Sequence, residues 1–257
     1  MLKISEYLNL DAMDLASGLR NKDFTCSEVM QAAVCRARDV NPSLNAINVE
    51  SFEQATAQAQ AFDNTPADLQ QSPLAGLPFL IKDLSPVKGL SNSFGSNLFK
   101  SHVATQNSNI VRRYLDAGLI IMGKTNTPEW GLTLTTEPVA NGPTRNPWNL
   151  SFSTGGSSGG AAAAVAAGIL PVAHATDGGG SIRIPAANCG LVGLKPSRGL
   201  TAIENEMGAC WSGMSVGHVV SQTVRDSAAF LDIITLNKPH LFPMPKHRGT
   251  FTEGLAS

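Results

Sequence analysis

Helix and strand signals alternate along this 257-residue chain, and that alternation predicts an α/β fold. Two further observations support the class. Short apolar runs at residues 77–82 and 118–123 have the composition of strands buried on both faces. A nearly apolar stretch over residues 161–175 is broken by Gly168 and Pro171, so it divides into a buried helix and a buried strand and is too short for a membrane span. The length allows one large core or two small ones.

The elements follow in order. Residues 11–19 show helical spacing of apolar side chains. Thr25 and Glu28 have the spacing of a capping box, and Val29, Met30, Ala33, Val34 and Ala37 share one face of the helix behind it. Ser51 with Gln54 suggests a second boxed helix, through about Phe62. Residues 64–72 form a polar loop. A strand over 77–82 ends in Lys82, a helix spans 109–117, and a buried strand spans 118–123. Thr127-Pro128-Glu129 has the cap chemistry of another helix start. Residues 139–154, rich in Pro, Asn, Trp and Ser, read as one long loop. These elements divide the chain into a helical region (1–70), a core (71–235) and a connecting segment (236–257) with Pro239, Pro243 and Pro245, expected to be poorly ordered. There is no internal repeat.

Composition narrows the function classes. A net charge of −1 gives no electrostatic case for nucleic acid or anionic lipid. Cys26, Cys35, Cys189 and Cys210 have no metal-binding spacing and read as reduced, mostly buried thiols of a cytoplasmic protein. The first residues lack the apolar core of a signal peptide. His102, His174, His218, His240 and His247 show no pairing that suggests a metal site, and His174, in an apolar strand, reads as a core histidine.

Two serine-bearing glycine loops carry the chemical signal: Gly155-Gly156-Ser157-Ser158-Gly159-Gly160, and Asp177-Gly178-Gly179-Gly180-Ser181-Ile182-Arg183-Ile184-Pro185. A hydroxyl beside consecutive glycine N–H groups suits acyl transfer, which needs a nucleophile next to donors for an oxyanion. Neither loop matches a phosphate-binding or dinucleotide fingerprint. Gly-x-Ser-x-Gly occurs at Ser157 and Ser158, but no buried strand precedes it, as a nucleophile elbow requires. Ser85-Pro86-Val87-Lys88 matches Ser-x-x-Lys without the Lys-Thr-Gly that accompanies it elsewhere. Serine with lysine remains. From spacing alone, Lys82 is either a desolvated base or a surface lysine at a strand end.

Read together, Leu77 to Asp83, the two loops, Asn126-Thr127-Pro128-Glu129, Gly142 to Pro147 and Gly190 to Ser197 resemble the amidase signature family. The resemblance runs from about the first helix to Phe230. It implies a mixed β-sheet core flanked by helices, in a single domain incomplete at its C-terminus, because family members continue well beyond Phe230. It implies hydrolysis of carboxylic amide C–N bonds by a Ser–cis-Ser–Lys triad, with Ser181 as nucleophile, Ser157 after a cis Gly156–Ser157 bond as the bridging serine, and Lys82 as base. Gly178, Gly179 and Gly180 would supply the oxyanion hole, and Ser158, Arg183 and Asp177 would position the triad. No cofactor or metal is implied. The expected partners are a small-molecule amide and a second copy or a complementing C-terminal half. Within the family the motifs resemble general amidases, near the aryl-acylamidases and the nylon cyclic-dimer hydrolase. The glutaminase subunit of the tRNA-dependent amidotransferase, which usually has glutamine where Ile184 stands, is the alternative. A non-catalytic remnant acting in assembly is the rival from outside catalysis.

Overall fold

The structure is a computed structural model and describes residues 2–65, 72–202, 210–236 and 249–255. Most of the connecting segment, with His240 and His247, and most of the polar loop at 64–72 lie outside the described residues.

The chain opens on helices α1 (Ile4–Tyr7), α2 (Ala12–Asn21) and α3 (Cys26–Leu44). Asp11 caps α2, its side chain accepting from Asp14 N. The predicted capping box starts α3: Glu28 N–H donates to Thr25 Oγ1 (3.1 Å) and Thr25 N–H to Glu28 Oε2 (2.9 Å), so two otherwise orphaned donors are satisfied. Strand β1 (Ile47–Glu50) and α4 (Phe52–Asp63) follow. The box expected at α4 does not form. Ser51 Oγ instead donates to Gln54 Oε1 (3.0 Å), leaving the helix without a side-chain cap.

β2 (Pro78–Lys82) and β3 (Ile120–Thr125) are buried where the apolar runs predicted, with β3 shifted two residues towards Lys124; the helix between them in sequence, α5 (Asn109–Asp116), buries one face through Ile110, Val111 and Tyr114. Thr127-Pro128-Glu129 starts no α-helix. Trp130 has φ of +53° inside a short 3-10 turn (Glu129–Gly131) that goes no further, and Thr127 Oγ1 donates to Ser157 O (3.0 Å) instead of accepting from a helix N–H. The long loop contains a hairpin, β4 (Arg145–Asn146) and β5 (Asn149–Ser153); its strands are largely exposed, so no buried alternation marked them. The divided apolar stretch forms α6 (Gly159–Ala166) and β6 (Val172–Asp177), both interior. α7 (Arg183–Cys189), β7 (Val192–Gly193), β8 (Val216–Ser221) and α8 (Val224–Ile234) complete the α-helices and strands among the described residues.

The strands make two three-stranded sheets, the first mixed and the second antiparallel, and a small hairpin. β3 lies between antiparallel β1 and parallel β2; β8 lies between antiparallel β6 and β7. The sheets meet where β2 packs against β6, and there Lys82 N–H donates to His174 Nδ1 (3.3 Å). His174 is fully buried, as its apolar strand predicted. On β8 the equally buried His218 is pushed down to about 3 by burial, so it stays neutral. Phe79 of β2 stacks on Phe230 of α8 (centroids 5.3 Å) and meets Tyr114 of α5 (4.7 Å), which ties both helices to the sheet.

Candidate active site

Three hydroxyls converge on one buried amine. Lys82 ends β2 with no exposed surface, and its Nζ lies 2.7 Å from Ser157 Oγ, 2.9 Å from Ser158 Oγ and 3.0 Å from Thr176 Oγ1. The surface-lysine alternative is therefore excluded. Thr176, the residue before Asp177 on β6, was not singled out by sequence; a threonine inside an apolar strand next to the glycine turn was the available signal.

The first glycine loop is held from several sides. Thr136 Oγ1 donates to Gly155 O (2.9 Å) and accepts from Gly159 N (3.1 Å), and Ser158 Oγ exchanges hydrogen bonds with the Thr176 backbone (3.2 Å each). The Gly156–Ser157 peptide bond is cis. The resembling segments around residues 126 and 142–147 meet here: Asn126 Nδ2 donates to Gly142 O and Thr144 Oγ1 (3.0 Å each).

The second loop is organised by one carboxylate. Asp177 Oδ1 accepts from Gly180 N (2.8 Å) and Arg183 Nη2 (3.0 Å), and Oδ2 accepts from Arg183 Nε (2.9 Å) and Ile182 N (3.2 Å). Burial pushes Asp177 upward, but Arg183 and the backbone donors outweigh it and hold the carboxyl below its ordinary value. Arg183 itself is half exposed and reaches the site only through Asp177. Gly180 corrects the expectation of three oxyanion donors, because its N–H is committed to Asp177; its φ of +122° is what the turn requires. Ser158 N–H donates to Ser181 O (3.2 Å), which joins the two loops.

A second lysine lies behind the first. Lys124 is the register partner of Ile81, so it leaves the sheet on the face opposite Lys82. Its Nζ pairs with Asp83 Oδ1 (2.6 Å), both side chains being fully buried, and Asp83 also accepts from Ser93 Oγ (2.5 Å) and Asn48 Nδ2 (2.8 Å). Adjacent buried strands thus carry, at the end of β2 and one residue before the end of β3, two lysines with different partners, one among hydroxyls and one on a carboxylate. Asp83 was visible as the end of the strand motif; its pairing with Lys124 was not.

Ser157 and Ser181 open onto one cleft of about 380 Å³, also lined by Gly178, Leu84, Trp130 and Trp211. Lys88 of the rejected Ser-x-x-Lys pattern is exposed to solvent.

The Amidase family model matches residues 28–257. The chain belongs to the amidase signature family. It is 38% identical to the 6-aminohexanoate-cyclic-dimer hydrolase of Paenarthrobacter ureafaciens over 96% of this chain and 50% of that protein. It is 42% identical to an acylamidase of Rhodococcus erythropolis over 88% of this chain and 47% of that protein. Among solved structures of amidase signature enzymes, it resembles a substrate complex of 6-aminohexanoate cyclic dimer hydrolase (TM-score 0.88, 37% identity, 97% of this chain and 52% of that one). It also resembles a bacterial aryl acylamidase (TM-score 0.86, 32% identity, 96% and 51%). The chain thus spans about half the length of these relatives.

Proposed function

We propose that this chain carries the catalytic machinery of an amidase that hydrolyses a carboxylic amide C–N bond through an acyl-serine intermediate. The observation that carries the reading is the 2.7 Å approach of Lys82 Nζ to Ser157 Oγ, beside a cleft that Ser181 also lines. A buried lysine is driven towards the neutral amine. In that form Nζ accepts the Ser157 proton, Ser157 Oγ accepts the Ser181 proton, and Ser181 Oγ attacks the amide carbonyl carbon. Gly178 and Gly179 N–H groups receive the oxyanion. The C–N bond then breaks as the proton returns through Ser157 to the leaving amine. Water attacks acyl-Ser181, releases the carboxylic acid and restores the serine. Asp177 shapes the nucleophile turn, and Ser158 and Thr176 hold Nζ in place.

A glutaminase reading has one supporting observation, 41% identity to a glutamyl-tRNA(Gln) amidotransferase component of Chromohalobacter salexigens over 86% of this chain and 45% of that protein. Against it stands Ile184, whose side chain fills the space beside Gly155 and Gly180 that a glutamine would take. An assembly role without catalysis is the other reading.

The test is hydrolysis of a simple aryl amide and of free glutamine by the purified chain and its Lys82→Ala variant, followed across pH. The proposal expects aryl amide turnover that rises with pH through an apparent pKa well below the ordinary lysine value of about 10.4, and loss of that limb and most of the rate in the variant. An unchanged profile in Lys82→Ala makes the lysine structural, glutamine turnover favours the glutaminase reading, and no turnover favours the assembly reading.

A further inference from the structure

One wall of the cleft has no part in this mechanism. Trp130 and Phe94 stack with ring centroids 4.7 Å apart and planes 11° from parallel. Phe99 stands edge-on to both, 5.1 Å from Trp130 and 5.7 Å from Phe94. The stack is fixed by its backbone as well: Trp130 N–H donates to Phe94 O (2.7 Å), and Ser96 Oγ donates to Glu129 Oε1 (2.5 Å), clamping the two segments.

Backbone conformation sets these rings apart. Among the described residues, six non-glycine residues have positive φ, and three of the six are aromatic: Phe94 and Trp130 at +53° and Trp211 at +51°. All three line the cleft that holds Ser157 and Ser181. Bulky residues rarely adopt this conformation, and they persist in it where the surrounding structure over-determines them, as at ligand sites. Trp130 keeps 42% of its surface exposed and Trp211 47%. Trp211 lies against the glycine turn, since a Cβ on Gly178 would stand 3.0 Å from its Cε3. No lining residue of the cleft, among the described residues, carries a charge.

We propose that Trp130, backed by Phe94 and Phe99, is a stacking platform for an aryl group of the substrate, so that the site selects uncharged aryl amides. The proposal rests on the amide-hydrolase reading. Aromatic faces favour a planar ring over an aliphatic group of equal size, and an uncharged wall offers nothing to compensate a buried charge on a zwitterionic substrate.

Binding to Ser181→Ala separates the platform from turnover. Acetanilide carries its ring on the amine side and benzamide on the acyl side; their cyclohexyl counterparts match them in size. Calorimetric titration is expected to show at least one aryl amide binding about 3- to 10-fold tighter than its cyclohexyl counterpart, the advantage of an aromatic pair. The ring position that shows it tells which side of the amide meets Trp130. Adding Trp130→Leu, which keeps apolar bulk without a flat face, should remove the preference, and Trp130→Phe should keep most of it. Equal affinity for ring and cyclohexyl compounds, a preference that survives Trp130→Leu, or binding of none of the four overturns the platform. Aryl preference in Ser181→Ala without turnover by the parent chain sinks the hydrolase reading and leaves the platform standing.

Discussion

In the first glycine loop, a Cβ on Gly160 would stand 2.4 Å from Asn126 N and 2.6 Å from Ala46 O; in the second, a Cβ on Gly179 would meet nothing within 4 Å. The same residue type answers opposite needs. Gly160 lets the start of α6 press against the backbone of two other segments, so it serves packing. Gly179 is exposed next to Gly178, which lines the cleft, and no neighbour demands it, so packing does not explain it. The loops are also held differently. The hydroxyls of Thr127 and Thr136 and the backbone of Thr176, from three other segments, fasten the first, whereas the second is organised by its own Asp177. The proposed bridging serine thus sits in the tertiary-locked loop, beside the proposed base at the end of β2, and the proposed nucleophile in the locally built one.

That contrast can be broken at either end. The largest effect is expected at Gly160→Ala, where an added methyl meets backbone on two sides; the overpacking cost is about 3 kcal/mol. Urea unfolding measures it, and a loss below ~1 kcal/mol would mean that the loop yields and is not locked.

Asp177→Asn should cost less, about 1–2 kcal/mol, because part of the set of donors on the carboxylate loses an acceptor. The folded carboxyl sits below its ordinary value. Between the folded and unfolded pKa values the unfolded state therefore binds more protons, and the stabilisation is present above the unfolded value of about 3.9 and lost as pH falls through the folded one. Urea midpoints between pH 3 and 6 should fall less steeply with acid in Asp177→Asn than in the parent. Parallel curves would remove Asp177 as the organiser of the turn.

The smallest effect on stability belongs to Gly179→Ala, within about 0.5 kcal/mol, as nothing crowds the new methyl. Its effect should appear in kcat/KM, through interference with the approaching amide. A stability loss comparable to that of Gly160→Ala would erase the distinction between the loops.

Much of this arrangement was legible in the chain. Apolar runs ending at Lys82 and flanking Gly168 located β2, α6 and β6, because burial on both faces leaves a compositional trace. The serine loops announced themselves through glycine density. What escaped depended on partners far away in sequence. β8 (Val216–Ser221) was hidden because His218 and Ser221 break its apolar run although both are buried against the antiparallel β6, and the exposed β5 has no buried face to mark it. Thr127-Pro128-Glu129 has sound helix-start chemistry, but Thr127 is drawn to Ser157 O and Trp130 to the stack on Phe94, so tertiary contacts override the local signal. Thr176 became visible only when the two sheets met, and the Asp83–Lys124 pair only when β2 paired with β3.

The central claim is that the locally built loop carries the nucleophile and the locked loop only relays its proton. Fluorophosphonate labelling of the purified chain, with the modified peptide mapped by mass spectrometry, tests it most directly. The account predicts a single modified serine, Ser181, and no labelling in Ser181→Ala. Modification of Ser157 or Ser158, or labelling that persists in Ser181→Ala, would place the nucleophile in the locked loop and contradict it.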